Sequence, residues 1–255
     1  MSERFYAGER GLAAGQRFQL DARESRHLLR VMRAAPGSRI RVFGGGREFD
    51  AVVAGASSGL ALVEILAERP AIPAPRISMS FLVPMLKGGR TQTVIQKLTE
   101  LSAAAVTVFS SAREVADVGG DKIGRFRRIA LEACKQCGRC DPPRVTIEGT
   151  VVSAVDESII PVNRRIVLHE GEQTMLLTSV LEKAGIDRQL LNAEKRAVGG
   201  VSVLVVSGPE GGFSPEEIGA LRGKAVFVTL GPRILRADTA PVAAAAVILA
   251  AAGEM

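Results

Sequence analysis

The chain has 255 residues, of which 47% are hydrophobic, so it can build packed cores without disulfide or metal staples. Its net charge of +6 favours a polyanionic partner, although a soluble surface rich in arginine gives such a balance as well. The N-terminus MSERFYAGER lacks a signal-peptide core, and the longest apolar segment, residues 240–252, is too short to span a bilayer. We therefore expect a cytoplasmic protein that does not enter a membrane.

The first 70 residues predict a small β-barrel that one helix interrupts. Glycine- and serine-rich segments at 44–46 and 57–59 divide short β-rich runs from one another. Asp21, with Glu24 three residues later, is typical of a helix start, and apolar residues then recur at helical spacing. Three prolines between residues 70 and 75 predict a stiff linker at 71–76 and a domain boundary there.

Arginine dominates the charge of this first segment, with ten arginines and no lysine in residues 1–50. One interpretation is a solvated surface. The other is phosphate binding, because the planar guanidinium group matches phosphate geometry well. His27, Arg30 and Arg33 have i, i+3, i+6 spacing, so they would lie along one helix face and could follow a nucleic-acid backbone.

From residue 77 onward, strand and helix signals alternate, which is the pattern of an α/β domain with a parallel sheet. Residues 201–206 form a nearly continuous apolar run, typical of a strand that is covered on both faces. A strongly basic helix is predicted from about residue 122, and a buried helical stripe is predicted at Met175, Leu176, Val180 and Leu181. Residues 187–200 are polar and are predicted to form a loop.

Two glycine-proline loops near the C-terminus each follow an apolar run and precede a predicted helix. The first, GPEGG, leads to a capping serine, Ser214, a proline at the first helical position, Pro215, and a glutamate three residues after the cap, Glu217, which together predict a capping box. The second, GPRILR, is followed by Asp238 and Thr239, either of which is expected to cap the last helix. Ligands in open α/β sheets bind beyond the carboxyl ends of the strands, so these loops predict a ligand site.

The sequence lacks the motifs of several common metal-binding and nucleotide-binding sites. Cys134, Cys137 and Cys140 are too few for a four-ligand cluster, and the two histidines lie far away in sequence, so we expect no metal. Neither the G-x-G-x-x-G spacing at these loops nor a P-loop is present, which disfavours hydride transfer and P-loop phosphoryl transfer.

The two closing loops, SGPEGGFS at 207–214 and LGPRILRADTA at 230–240, resemble the closing motifs of the RsmE-type 16S rRNA uracil-N3 methyltransferases of the SPOUT superfamily. The resemblance extends over almost the whole chain. Arg4-Phe5 and the segment 27–33 resemble the family's N-terminal barrel. Lys87-Gly88 and the segments 96–101, 129–133 and 136–139 resemble its middle.

The resemblance implies a fold and a set of partners. Residues 1–70 would form a PUA-like RNA-binding β-barrel, and residues 77–255 a SPOUT α/β domain whose parallel sheet contains a deep trefoil knot. S-adenosyl-L-methionine would bind in the knot cleft of a homodimer, and the substrate would be 16S rRNA of the small ribosomal subunit. A ribosome-assembly protein without catalysis, and a SPOUT enzyme acting on another RNA, remain the alternatives.

The resemblance also implies site residues. The cofactor-binding set comprises Leu168, His169, Ser207, Gly208, Pro209, Gly211, Leu230, Gly231, Ile234 and Leu235. The RNA-binding set comprises Arg4, His27, Arg30, Arg33, Arg90 and Arg139. Uracil N3 carries a proton, so the enzyme must remove it or stabilise the uracil anion. Arg236 is predicted to stabilise the developing negative charge. Glu210 is predicted to accept the proton, and Glu100 and His169 are the alternative proton acceptors. Glu210 could instead form an ion pair with Arg233 or Arg236.

Overall fold

A computed structural model describes residues 3–110, 121–156, 164–186 and 201–255. The chain forms two compact units. The first contains the residues up to Pro73 together with Cys134–Pro142, and the second contains Ala74–Ala133 and Pro143–Met255. The segment Cys134–Pro142 lies within residues 77–255, the range predicted for the second domain, but belongs to the first unit. The predicted loop at 187–200 lies outside the described residues.

The first unit is built on a five-stranded sheet with the order β1-β3-β4-β5-β2. β1 and β3 are parallel, and the other neighbours are antiparallel. The core contains apolar side chains from every strand, including the fully buried Phe5, Val42 and Val63. The strands are β1 (Arg4–Tyr6), β2 (Arg17–Gln19), β3 (Arg39–Gly44), β4 (Arg47–Ser57) and β5 (Leu60–Arg69).

The predicted helix of the first unit is short and changes its geometry. Asp21 caps α1 (Ala22–Arg26) by accepting hydrogen bonds from the N–H groups of Arg23 and Glu24. A π-helix, His27–Val31, follows directly, and Arg33 lies beyond its end with a φ of 54°. The prediction that His27, Arg30 and Arg33 share one regular helix face is therefore wrong, because the wider turn breaks the α-helical spacing.

The second unit confirms the α/β prediction with a six-stranded parallel sheet of order β11-β9-β10-β6-β7-β8. Its strands are β6 (Ser78–Pro84), β7 (Ala105–Phe109), β8 (Arg144–Glu148), β9 (Arg164–Leu168), β10 (Ser202–Ser207) and β11 (Val226–Val228). Its described helices are α2 (Arg90–Glu100), α3 (Lys122–Cys137), α4 (Val151–Asp156), α5 (Leu177–Lys183), α6 (Pro215–Leu221) and α7 (Ala240–Ala251). The last residues of α3 belong to the first unit.

Strand β10 lies inside this sheet and is buried along its whole length. Val203 and Val205 pack into the apolar cluster on one face, and Leu204 and Val206 pack into the cluster on the other. This explains why the strand has a continuous apolar sequence rather than an alternating one.

The helices of the second unit differ in how their N-termini are capped. Ser214 and Glu217 form the predicted capping box at the start of α6. Thr239 is the N-cap residue of α7, as predicted. Its side chain makes no capping hydrogen bond, so the predicted side-chain cap at this position is wrong. The predicted stripe is confirmed at Leu181, which is buried, and at Met175 and Val180, which are partly buried against the core. It is wrong at Leu176, which is exposed while Leu177 is buried in its place. No helix in the described ranges is long and apolar enough to cross a membrane.

Candidate active site

Parallel strands bring several loops to one edge of the second sheet. Leu168 at the end of β9 is in register with Ser207 of β10 and with Val228 of β11. Strand β6 runs in the same direction beside β10. The segments 85–89, 169–176, 208–214 and 229–239 therefore all leave the sheet at its carboxyl edge, where α/β folds place their ligands.

The loop after β9 begins with His169, whose backbone N–H donates to the carbonyl oxygen of Val228 at 3.0 Å. Its ring packs edge-on against Phe227. The ring atom Nδ1 is buried without a hydrogen-bond partner, and the nearest carboxylate oxygen, on Glu170, lies 3.6 Å away. A buried nitrogen of this kind has unused hydrogen-bonding capacity at the sheet edge.

The same loop is held in a tight turn by Glu172. Its carboxylate accepts hydrogen bonds from the hydroxyl group of Thr174 at 2.7 Å and from the N–H groups of Thr174 and Met175 at 2.8 and 2.9 Å. These bonds, led by that of the hydroxyl group, lower the pKa of Glu172 to about 2. The charged form therefore fixes the turn that leads to α5.

The GPEGG loop lies beside the side chain of Glu170 in the loop after β9, and its backbone conformation favours glycine at position 212. Gly212 has a φ of 68°, and a Cβ atom there would lie 2.5 Å from Glu170 Oε1. A Cβ atom on Gly208 would lie 3.0 Å from the ring of Phe213. Ser207 and Pro209 are buried, whereas Gly211 is exposed. The loop thus presents backbone rather than side chains at this place.

Glu210, in the middle of this loop, forms an ion pair with Arg90 at the start of α2. Arg90 also donates from Nε to the carbonyl oxygen of Lys87 at 3.1 Å. The predicted pairing of Glu210 with Arg233 or Arg236 is therefore wrong. The pair joins the loop after β6 to the loop after β10, so a residue predicted to bind RNA and a residue predicted to accept a proton meet at one place.

The GPRILR loop is fixed at its start and open at its centre. Thr229 Oγ1 donates to the carbonyl oxygen of Gly231 at 2.9 Å and accepts from its N–H at 3.2 Å. Beyond this anchor Ile234 is 82% exposed, and Leu235 is exposed as well. Apolar side chains left in solvent next to a ligand edge are candidates for contact with a ring or a partner surface. Thr229 is a functional residue that the sequence motifs do not single out, and its only signal is a hydroxyl side chain between a strand and a loop glycine.

Arg236 lies at the end of this loop, and its side chain is 70% exposed. Its Nε atom lies 3.6 Å from Asp238 Oδ1, beyond hydrogen-bonding distance. Its backbone carbonyl accepts from the N–H groups of Thr239 and Ala240 at the start of α7. The backbone of Arg236 is therefore fixed while its guanidinium group keeps most of its donors for another molecule.

Two residues predicted to bind RNA are buried in the first unit. Arg4 is 7% exposed and donates to Glu48 and to the carbonyl oxygens of Cys134, Gly138 and Arg139. Arg139 is also buried, and its side chain pairs with Asp141. Their predicted RNA contacts are contradicted by this placement, because a guanidinium group that is enclosed and bonded within the protein has no face left for a phosphate.

The other predicted RNA contacts in this unit remain accessible. Arg30 and Arg33 are exposed, and His27 is partly exposed, with its ring 5.7 Å from that of Phe5 and Nε2 3.6 Å from Glu3.

The three cysteines lie near the end of α3 as free thiols. Burial raises the pKa of Cys134 to about 12 and also raises that of Cys140. Both thiols therefore stay neutral near pH 7 and are poor nucleophiles and poor metal ligands. Among the residues that the structure describes, no cluster of three or more His, Cys, Asp or Glu side chains could hold a metal ion.

The sequence of this chain matches two known protein families. Residues 73–249 match the family described as "RNA methyltransferase domain", and residues 20–66 match the family described as "RNA methyltransferase PUA domain". These matches cover the six-stranded sheet of the second unit with its carboxyl-edge loops, and most of the first unit.

Individual relatives narrow the class. "Ribosomal RNA small subunit methyltransferase E" of Mycobacterium bovis is 30% identical over 92% of this chain and 86% of its own length. The protein of the same name from Bacillus subtilis is 29% identical over 91% of this chain and 89% of its own length. A crystal structure of such an enzyme from Neisseria gonorrhoeae, bound to S-adenosyl methionine, superimposes with a TM-score of 0.79 at 28% identity and covers 98% of both chains. The chain belongs to the RsmE-type RNA methyltransferases.

Proposed function

We propose that this protein transfers the methyl group of S-adenosyl-L-methionine to N3 of a uridine in 16S rRNA of the small ribosomal subunit. The observation that carries the proposal is the loop edge, where the GPEGG loop, the GPRILR loop and the loop after β9 leave neighbouring parallel strands. Relatives that align with this chain over 86% and 89% of their own length are named ribosomal RNA small subunit methyltransferases, which supports the proposal. We further propose that the protein acts in the cytoplasm.

The residues at the loop edge fit this cofactor. The exposed Ile234 and Leu235 offer apolar contact to an adenine ring, and glycines at 208, 211 and 231 let backbone groups come close to a ribose. The unpartnered Nδ1 atom of His169 is a buried hydrogen-bonding group on the neighbouring loop. When bound, S-adenosyl-L-methionine supplies an electrophilic methyl group. The remaining predicted cofactor contacts, Leu168, Ser207, Pro209 and Leu230, lie on or beside the same strand ends.

The chain's own residues must then handle the proton on uracil N3. Arg236 is the candidate for stabilising negative charge on a uracil carbonyl oxygen, because its guanidinium group is exposed beside the apolar loop centre. Glu210 is less free to accept the proton, because protonation would leave the charge of Arg90 without its partner. We therefore propose that Glu210 positions its loop and that Arg236 contacts the substrate.

The finer features of the fold are part of the proposal. We propose that the second unit contains a deep trefoil knot and that the protein is a homodimer. The entirely apolar sequence of α7 supports a buried supporting role for this helix, since Ala244, Ala245 and Ile248 lie in the core. Its partly exposed residues Val242 and Ala246 offer a small-residue face to a second subunit.

The direct test is methylation of small ribosomal subunits from cells that lack this activity. Purified protein and cofactor should restore N3-methyluridine, detected by mass mapping of the 16S rRNA. Calorimetry should show cofactor binding to the full-length protein, and Leu235→Asp should weaken it at least tenfold by placing a charge against an apolar ring. A folded protein that binds no cofactor would instead indicate a non-catalytic assembly factor, and methylation at another site would indicate another RNA target.

The Arg90–Glu210 pair gives a second prediction. Arg90→Ala and Glu210→Ala should each lower kcat/KM by about tenfold, because each frees the GPEGG loop from the start of α2. Since both variants break the same contact, the double variant should lose little more than either single one. Reversing the pair, with Arg90→Glu and Glu210→Arg together, should recover part of the activity.

Lys224→Ala is a suitable control for this cycle, because Lys224 forms an ion pair with Asp156 in the same unit and neither residue is a candidate for the site. Fully additive losses in the double variant would show that Arg90 and Glu210 act separately, and an inactive Glu210→Gln variant with an active Arg90→Ala variant would restore Glu210 as the proton acceptor.

A further inference from the structure

The exposed end of the π-helix in the first unit, with the two residues that follow it, has properties that methyl transfer does not require. It consists of Arg30, Val31, Met32 and Arg33, which we call the basic tip. All four residues are exposed, and Val31 is 68% exposed. Leu28, two residues earlier, is completely buried in the core of the unit. The chain thus places two apolar and two basic side chains in solvent immediately after a fixed anchor.

The backbone of the basic tip is unusual. The N–H of Met32 donates to the carbonyl oxygen of His27, and the N–H of Ala34 donates to that of Leu28, so the turn is wider than an α-helix. Arg33 has a φ of 54°, in a region where glycine or asparagine is usual after a helix. Strain of this kind is costly, and it is retained most often at functional sites.

The arginines of the first unit fall into two groups. Arg4, Arg17, Arg41 and Arg47 are all within ion-pair distance of a carboxylate. Across the described part of this unit, Arg10 has no carboxylate partner, but it donates to the carbonyl oxygen of Gln19 and lies over the Phe18 ring. The second group consists of Arg26, Arg30, Arg33 and Arg39, which also have no carboxylate partner among the described residues. The second group surrounds the basic tip in sequence, and a turn at residues 35–38 leads from Arg33 to Arg39. Positive charge that the protein does not neutralise is thus concentrated at the tip.

We propose that the basic tip binds unpaired RNA, with its arginines on phosphates and with Val31 and Met32 packed against exposed bases. The inference rests on the proposed function, because that function makes RNA the substrate. Bases in an A-form duplex are stacked, and their major-groove edges are too deep for a side chain to reach, so apolar side chains can contact base faces only in loops and single strands. Arginines alone would bind paired and unpaired RNA alike.

The experiment compares two RNAs of equal length and charge with the full-length protein and no cofactor. One is an unstructured oligonucleotide, and the other is a hairpin whose strands are joined by a non-nucleotide linker, so that every base is paired. The Val31→Ser, Met32→Ser double variant should bind the unstructured RNA about tenfold more weakly, with the salt dependence unchanged and hairpin affinity unaltered. Arg30→Ala should weaken binding of both RNAs and lower the slope of log K against log salt by about 1.

Ile72→Ser is the matched control, because Ile72 is also in the first unit and is 64% exposed. It should change neither affinity. Arg33→Gly gives an independent readout: relief of the left-handed backbone should raise Tm by about 2 °C while RNA binding weakens.

An equal loss for hairpin and unstructured RNA in the apolar variant, or no loss for either, would overturn the proposal. Cofactor binding measured on the same variants separates this result from a failure of the proposed enzymatic function, because that measurement does not involve the tip.

Discussion

Replacing Arg236 by alanine is expected to lower kcat by about two orders of magnitude while changing the Kd for S-adenosyl-L-methionine by less than about threefold. The side chain of Arg236 is 70% exposed, and its Nε atom lies 3.6 Å from Asp238 Oδ1, so little within the protein depends on it. Its removal should therefore cost the interaction with the uracil and leave the fold intact. Single-turnover methylation and calorimetry with the cofactor measure the two quantities separately.

Arg233→Ala is the matched control for this prediction, because Arg233 is an exposed arginine of the same loop. It removes the same charge three residues away and should leave kcat nearly unchanged. Arg236→Lys keeps the charge without the planar fork and should fall between the wild type and alanine. Equal losses of kcat and cofactor affinity in Arg236→Ala would place this side chain in the cofactor site instead.

Replacing Arg4 by methionine is expected to destabilise the first unit by about 3–5 kcal/mol. Arg4 Nε lies 2.7 Å from Glu48 Oε1, and its other donors reach the carbonyl oxygens of Cys134 at 2.6 Å and of Gly138 at 3.0 Å. The guanidinium carbon also lies 4.4 Å from the centre of the Phe43 ring. Methionine fills part of the space but leaves a buried carboxylate and several carbonyl groups without this donor. Urea unfolding measures the loss.

Two variants show whether this loss comes from the buried charge. Arg17→Met removes one partner of an exposed pair with Glu64 and should change stability by less than about 1 kcal/mol. Combining Arg4→Met with Glu48→Leu should recover only part of the stability. The double variant removes the buried carboxylate that has lost Arg4, but it also takes away the partner that lies 3.5 Å from Arg41. Salt-dependent RNA binding by folded Arg4→Met should match the wild type. A reduced salt slope with normal stability would return Arg4 to the RNA-contact set.

Local sequence predicted the elements around the site well. The continuous apolar run at 201–206 marked a strand covered on both faces, and Ser214 with Glu217 marked a helix start that forms the expected capping box. Both signals depend on neighbouring residues only. The π-helix at His27–Val31 was missed because no local signal distinguishes its wider turn from the α-helix that precedes it.

Sequence motifs alone determined the chemical class of this protein. The GPEGG and GPRILR loops, each at the end of a strand, indicated a ligand site at the carboxyl edge of the sheet. Their amino-acid sequences indicated the RNA methyltransferase family to which the chain belongs. Only the tertiary structure decided which charged residues remain available. Arg4 and Arg30 have the same side chain, yet one is enclosed by Glu48 and four backbone carbonyls and the other is exposed. Partners 44 or more residues away decide that difference, and no local pattern encodes it.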